Sequence, residues 1–189
     1  MNPADPWRVP VVVAQIPDTG LHRALEAGEA SRAAIAEIAS LRKVISASAS
    51  FDLQLTSGGR VHVTGEVRAL IGQTCVVTLD PIESEIDETV DLMFAPPEQI
   101  RSLAALVDEA AQSEGEEVPD PPEPIIDGVI DLGRLATDVL FLAIDPYPRR
   151  RDVVFEPPRE IVDPADHPFA ALKTLQVGYT PGPGKKDPD

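Results

Sequence analysis

The chain has 189 residues, room for one domain with extensions but not for two independent cores. Its 16 Lys and Arg stand against 32 Asp and Glu, and the resulting charge of −16 repels phosphate backbones over the molecule as a whole. Nucleic acid is left with a local contact, or one made through a basic protein partner. A single cysteine excludes an intramolecular disulfide and a multi-cysteine zinc site. Residues Met1 to Trp7 carry neither the basic nor the apolar region of an export signal, and no apolar run approaches the ~18 residues of a membrane span, so a cytoplasmic protein with no membrane contact is expected.

Residues 1–8 are read as an N-terminal extension and 9–148 as one domain. Val9 to Ile16 is an apolar, valine-rich run, and Pro10, which cannot donate to a ladder, makes it an edge strand or the start of one. Asp18-Thr19-Gly20 then offers caps for an amphipathic helix that carries Leu21, Leu25, Ile35, Ile38 and Leu41 and ends near Ser40. Gly28 is its weak point, because an interior glycine costs about 1 kcal/mol relative to alanine. A kink, or two shorter helices, is expected there.

From Val44 to Phe94 three runs alternate apolar and polar residues with period two, the mark of half-buried strands. The first turns Ala47, Ala49, Phe51, Leu53 and Leu55 to one face, and Ser57-Gly58-Gly59 supplies a tight hairpin. The second places Val61, Val63, Val67, Ala69 and Ile71 inward and Arg60, His62 and Arg68 outward. After the Cys75 segment and a turn at Asp80-Pro81, the third sets Ile82, Ile86, Val90, Leu92 and Phe94 against Glu83, Glu85, Asp87 and Asp91. That acidic row is read as a solvated face making cross-strand ion pairs with the second strand, or as a protein-binding stripe. A metal site is disfavoured, since alternation strings the carboxylates along the strand without converging them.

Pro96-Pro97 closes the meander, and Ile100 to Ala111 reads as a modest helix. Residues 112–127 form an acidic, proline-rich stretch with Glu114, Glu116 and Glu117, expected to be a mobile loop that is either solubilising or a dock for a basic protein. Ile125 to Ile130 is again strand-like, and Asp131 caps a helix from Leu132 to about Ala143 with Leu132, Leu135, Ala136, Val139, Leu142 and Ala143 on one face. Asp145-Pro146-Tyr147-Pro148 stops it. Residues 149–189 begin with Arg149-Arg150-Arg151 and continue as a flexible Pro/Gly-rich tail, in which Pro168 to Val177 is a candidate docking helix.

No catalytic constellation emerges. His22, His62 and His167 lie far apart in the chain, no serine sits in a Gly-x-Ser-x-Gly elbow, and Gly58-Gly59 leads into a strand where a phosphate cradle needs a helix. Cys75 is read as a buried structural residue rather than a nucleophile, its neighbours Val76 and Val77 offering nothing to lower its pKa. No enzyme, no cofactor and no metal is expected. Arg149, Arg150 and Arg151 beside Tyr147 are the one basic cluster, suited to phosphate contact and base stacking, or else serving as cations that balance a helix C-terminus.

Gly65-x-Val67-x-Ala69, Cys75-x-x-Thr78-Leu79-x-Pro81 and, downstream, Ile130-Asp131-Leu132-x-x-Leu135 with Asp145-Pro146-x-Pro148 resemble the bacterial YceD family, the large ribosomal RNA subunit accumulation proteins, also represented in plastids. The likeness runs from about Val11 to Pro148, leaving out the acidic loop and the tail. It implies a non-enzymatic binding or adaptor protein that supports accumulation or processing of large-subunit ribosomal RNA, and hence assembly of that subunit; the rival reading is an acidic interaction module that escorts a basic ribosomal protein without RNA contact. It assigns structural motif positions to Gly65, Cys75, Leu79, Pro81, Asp131 and Leu132. Many members carry Cys-x-Arg-Cys-Leu where this chain has Cys75-Val76-Val77-Thr78-Leu79, so any metal or redox role of the cysteine pair does not transfer. The fold expected is α+β, an antiparallel meander or partly closed barrel covered by two main helices.

Overall fold

The alternation between residues 44 and 94 becomes three long antiparallel strands in a computed structural model of the chain, which describes residues 5–100 and 121–154. In chain order the elements are β1 (Pro10–Val12), β2 (Leu21–Glu26), α1 (Glu29–Ile38), β3 (Lys43–Thr56), β4 (Arg60–Thr74), β5 (Pro81–Ala95), β6 (Glu123–Pro124), β7 (Val129–Asp131) and α2 (Leu132–Ala143). Residues 97–100 are also helical; the rest of the helix expected from Ile100 to Ala111, the acidic positions 114–117 and the tail beyond 154 lie outside the described residues. The chain divides into two units, Met1–Val153 and Val154–Asp189. Apart from Val154, every described residue belongs to the first unit, so Arg149 to Arg151 are part of the domain and not of a tail.

The main sheet has the order β2-β3-β4-β5-β6, with β1 and β7 paired separately as a two-stranded ribbon. Among the described residues it is open: β2 and β6 are its two edges, and no pairing closes it into a barrel. Every inward position expected on β4 is buried, and Phe51 and Leu53 on β3 and Ile86, Val90 and Phe94 on β5 join the same core. Gly65 stands opposite Phe51. A Cβ there would run into the Ser50 carbonyl oxygen and lie 2.7 Å from the Phe51 ring, so the glycine gives the aromatic its room. The Ser57-Gly58-Gly59 hairpin forms as expected, with φ of 78° at Gly58 and 74° at Gly59.

The helix expected from Leu21 to Ser40 is half strand. Leu21 and Leu25 are four apart, a spacing that fits one face of a helix and one face of a strand equally, and pairing with β3 decides the matter. Gly20, at φ +90°, turns the chain into β2 instead of capping a helix. Gly28 is the N-cap of α1, extended at ψ 166°, not a kink inside it.

Residues 5–8, read as an extension, are tied to the domain. Trp7 is only 4% exposed, and Gly133 of α2 lies so close beneath it that a Cβ would come within 2.5 Å of the Trp7 carbonyl oxygen. Burial of one large aromatic side chain offsets the cost of ordering the segment. Residues 121–127 likewise depart from a mobile loop: β6 pairs in parallel with β5, and Ile125 is buried. On α2 the expected face is buried at Leu132, Leu135 and Ala136 and half-buried at Val139 and Ala143, whereas Leu142 is 89% exposed and Leu140, outside that face, is fully buried.

Candidate functional site

Two segments far apart in sequence are locked together at the end of the sheet where β4 passes into β5. The turn at 75–80 is closed by hydrogen bonds from Cys75 N to the Asp80 carbonyl and from Leu79 N to the Cys75 carbonyl, both 2.9 Å. Against it lies the segment 145–151 that follows α2. Val76 N donates to the Pro148 carbonyl at 3.0 Å, and the buried Gln73 donates through Nε2 to the Asp145 carbonyl at 2.9 Å while its Oε1 accepts from Ser84 Oγ. Arg150 adds an exposed ion pair to Asp80 at 3.5 Å. The backbone of 145–151 is thus held from several directions, with Pro148 buried and the side chains of Tyr147 and Arg149 to Arg151 exposed.

Cys75 sits at this junction with no exposed surface. Thr78 donates to its sulfur through the hydroxyl, the Arg150 amide donates from 3.5 Å, and the Thr78 and Val77 amides add to them. These donors favour the thiolate and lower the thiol from 9.0 to about 6, against the opposing pull of burial. The expectation that nothing near Cys75 lowers its pKa is therefore corrected. The strongest donor is the side chain of Thr78, which stands where the resembling pattern has a second cysteine, and folding adds the backbone amides of Arg150, Thr78 and Val77.

Around the junction Val76, Leu79 and Tyr147 are 43%, 74% and 71% exposed, and Arg149, Arg150 and Arg151 are all exposed. Leu79 also has a left-handed backbone, φ 63°, unusual for a branched apolar residue. The arginines begin six residues past the end of α2, beyond the last turn over which a helix dipole acts, so the dipole-balancing role falls away. What remains is a fixed surface of apolar, aromatic and cationic side chains.

The acidic row of β5 does what strand pairing dictates. Asp91 meets His62 at 2.6 Å, Asp87 meets Arg68 at 3.3 Å and Glu83 meets Lys43 at 3.0 Å, all exposed pairs. Glu85 has no ion pair among the described residues, and Glu114, Glu116 and Glu117 lie outside them. Among the described residues no group of three or more His, Cys, Asp or Glu is placed to hold a metal, and no helix is long and apolar enough to cross a membrane.

Asp131 joins β7 to α2 and ties in the N-terminus. Its Oδ1 accepts from Val9 N at 2.8 Å, Gly133 N at 3.1 Å and Arg134 N at 3.2 Å, and its Oδ2 pairs with Arg8 at 3.3 Å. The neighbouring Leu132 is fully buried. Sequence reading missed Trp7, Gln73 and Pro148 as parts of this framework. Only the lone tryptophan offered a signal, as a large apolar side chain in a segment otherwise fit to be solvated.

The molecule is an α+β protein in which the 75–80 turn and the segment after α2 are fastened together. The chain matches the family described as large ribosomal RNA subunit accumulation protein YceD over residues 63–176 and belongs to that family. The family carries a role in accumulation of large-subunit ribosomal RNA. The match begins in β4, leaving β1 to β3 outside it, and includes the acidic stretch and much of the tail, which the resemblance had been taken to exclude. No curated protein and no solved structure matches the chain.

Proposed function

We propose that this protein supports large-subunit ribosomal RNA accumulation as a non-enzymatic binding factor, and that residues 147–151 make the RNA contact. The observation that carries the reading is the junction itself. Tyr147 and three exposed arginines stand on a backbone fastened to the 75–80 turn by Val76 N to Pro148 O and Arg150 N to Cys75 Sγ, and to the end of β4 by Gln73 to Asp145. Cations beside an exposed aromatic suit unstacked RNA, where guanidinium groups pair with phosphate and a ring stacks on a base. The charge of −16 requires such a contact to be local, and these residues are the one cluster of three consecutive cations in the sequence.

The role is tested by depletion and complementation. Cells lacking the protein should lose large-subunit particles on sedimentation and large-subunit ribosomal RNA on blotting. The wild-type chain should restore both, and the double variant Arg149→Glu, Arg151→Glu should not. Full restoration by the double variant would remove residues 147–151 from the function.

A second reading, an acidic adaptor that holds a basic ribosomal protein, is favoured by the net charge and by a carboxylate-rimmed groove at the other end of β5.

A further inference from the structure

Between α2, β7 and the β5–β6 edge runs a groove with a volume of about 650 Å³. Its apolar lining includes Leu92 and Phe94 from β5 and Leu135 and Val139 from α2, with Ile126 and Leu142 standing 56% and 89% exposed. Five carboxylates border it, Asp5, Glu123, Asp127, Asp131 and Asp138, against two arginines, Arg8 and Arg134. Both arginines are already engaged, Arg8 with Asp131 at 3.3 Å and Arg134 with Asp138 at 3.7 Å and Asp5 at 4.0 Å. Glu123 and Asp127 make no ion pair among the described residues, so the rim keeps an uncompensated negative charge.

We infer that this groove is the docking site for a cationic, amphipathic segment of a protein partner, whose apolar side chains enter between Leu135, Val139 and Leu142 while Lys or Arg reach Glu123, Asp127 and Asp138.

The lining favours such an occupant over a small metabolite. Pockets for small ligands combine apolar walls with a few placed polar groups that fix orientation, whereas the polar side chains of this groove are all carboxylates and guanidinium groups along its border. An apolar floor with a charged rim is what a helix laid in a groove requires, and the sign of the rim chooses a basic one. Burial already holds the Asp138 carboxyl above its usual range, with Arg134 drawing it down and Asp5 pushing it up, so a cation brought to the rim relieves a charge the free protein carries at a cost. A molecule of net charge −16 attracts basic partners, and this groove joins apolar anchorage to a carboxylate rim, whereas the exposed apolar side chains Val76, Leu79 and Tyr147 stand beside arginines. The site gives the acidic-adaptor reading a location and is independent of the RNA contact, because none of residues 147–151 lines it.

The test uses the full chain and three synthetic helical peptides of equal length, one of Lys and Leu with the leucines on one face, one of Lys and Ser, and one of Glu and Leu. The Lys/Leu peptide should bind, and the other two should bind at least about tenfold more weakly, the loss expected when anchors or charge complementarity are removed. Ile126→Ser with Leu142→Ser, both exposed positions whose replacement leaves the core intact, and separately Glu123→Lys with Asp127→Lys, should each weaken the Lys/Leu peptide by a similar factor. Arg149→Glu with Arg151→Glu should leave it unchanged, so failure of the RNA reading does not touch this result. A benzophenone-bearing side chain in place of Leu142 should cross-link to the Lys/Leu peptide. Equal binding of Lys/Ser and Lys/Leu peptides, indifference to the groove variants, no binding at all, or a cross-link from position 142 to residues 155–189 or to a second copy would each overturn the assignment.

Discussion

The backbone amide of Arg150 donates to the sulfur of Cys75 at 3.5 Å, joining positions 75 residues apart. This contact helps fix where residues 147–151 stand, and it gives the cysteine a structural use. A large, polarisable acceptor at the centre of a tight turn takes donors from its own loop and from the segment after α2 at once.

The donors around Cys75 give stability a particular pH dependence. The folded thiol titrates at about 6 and the unfolded one at 9.0, so the thiolate's contribution is complete above 9.0, shrinks as pH falls toward 6 and is absent below. The stability difference between wild type and Cys75→Ala, measured by urea unfolding, should therefore widen steadily from pH 6 to pH 9. Thr78→Val, which removes the strongest donor, should narrow that widening. A gap independent of pH would contradict the donor arrangement.

Gly133→Ala should be destabilising although it lies in a helix. Alanine ordinarily gains up to about 1 kcal/mol over glycine there, but the new Cβ would stand 2.5 Å from the Trp7 carbonyl oxygen and 2.9 Å from Val9 N. Overpacking of this kind costs about 1–3 kcal/mol, so thermal unfolding should show a net loss. A gain would mean that the N-terminal segment does not lie over α2.

Trp7→Ala should cost about 3–5 kcal/mol, the range for deleting a buried large aromatic, and the single tryptophan should emit as a buried indole until the domain unfolds. Solvent-like emission in the native state would return residues 5–8 to the status of a loose extension.

Asp131→Ala removes the α2 cap and leaves the Val9 N–H without its acceptor. The two losses together should cost roughly 2–3 kcal/mol in chemical denaturation, with Asp131→Asn retaining most of the cap. Equal effects of the two substitutions would show that the cap is not what Asp131 supplies.

The meander was legible in the sequence because period two leaves no ambiguity. Phe51, Val63, Val67 and Val90 alternate with polar neighbours over long runs, and a slip of one residue would expose them all. Leu21 and Leu25 misled because a spacing of four belongs to both periods, and only the free edge of β3 decides between them. Trp7 was misplaced because its partner, Gly133, is more than a hundred residues away and carries no pattern of its own. At the junction the separate strings around Cys75 and Pro148 were visible, but not their meeting, which rests on backbone donors and acceptors that every sequence possesses. Leu142 followed the apolar stripe of α2 in sequence, and its exposure became evident only once the helix was seen to border a groove.

The most direct measurement is equilibrium binding of the full chain to large-subunit ribosomal RNA fragments over a salt series. The wild-type chain should bind with an affinity that falls as salt rises. Arg149→Glu with Arg151→Glu should weaken binding and flatten the logarithmic salt slope by about 1.4, the value for two phosphate contacts to single-stranded nucleic acid at roughly 0.7 each. Stability should stay within about 0.5 kcal/mol of wild type, since both side chains are exposed. An unchanged affinity and slope in the double variant, or no RNA binding by the wild-type chain at low salt, would contradict the account.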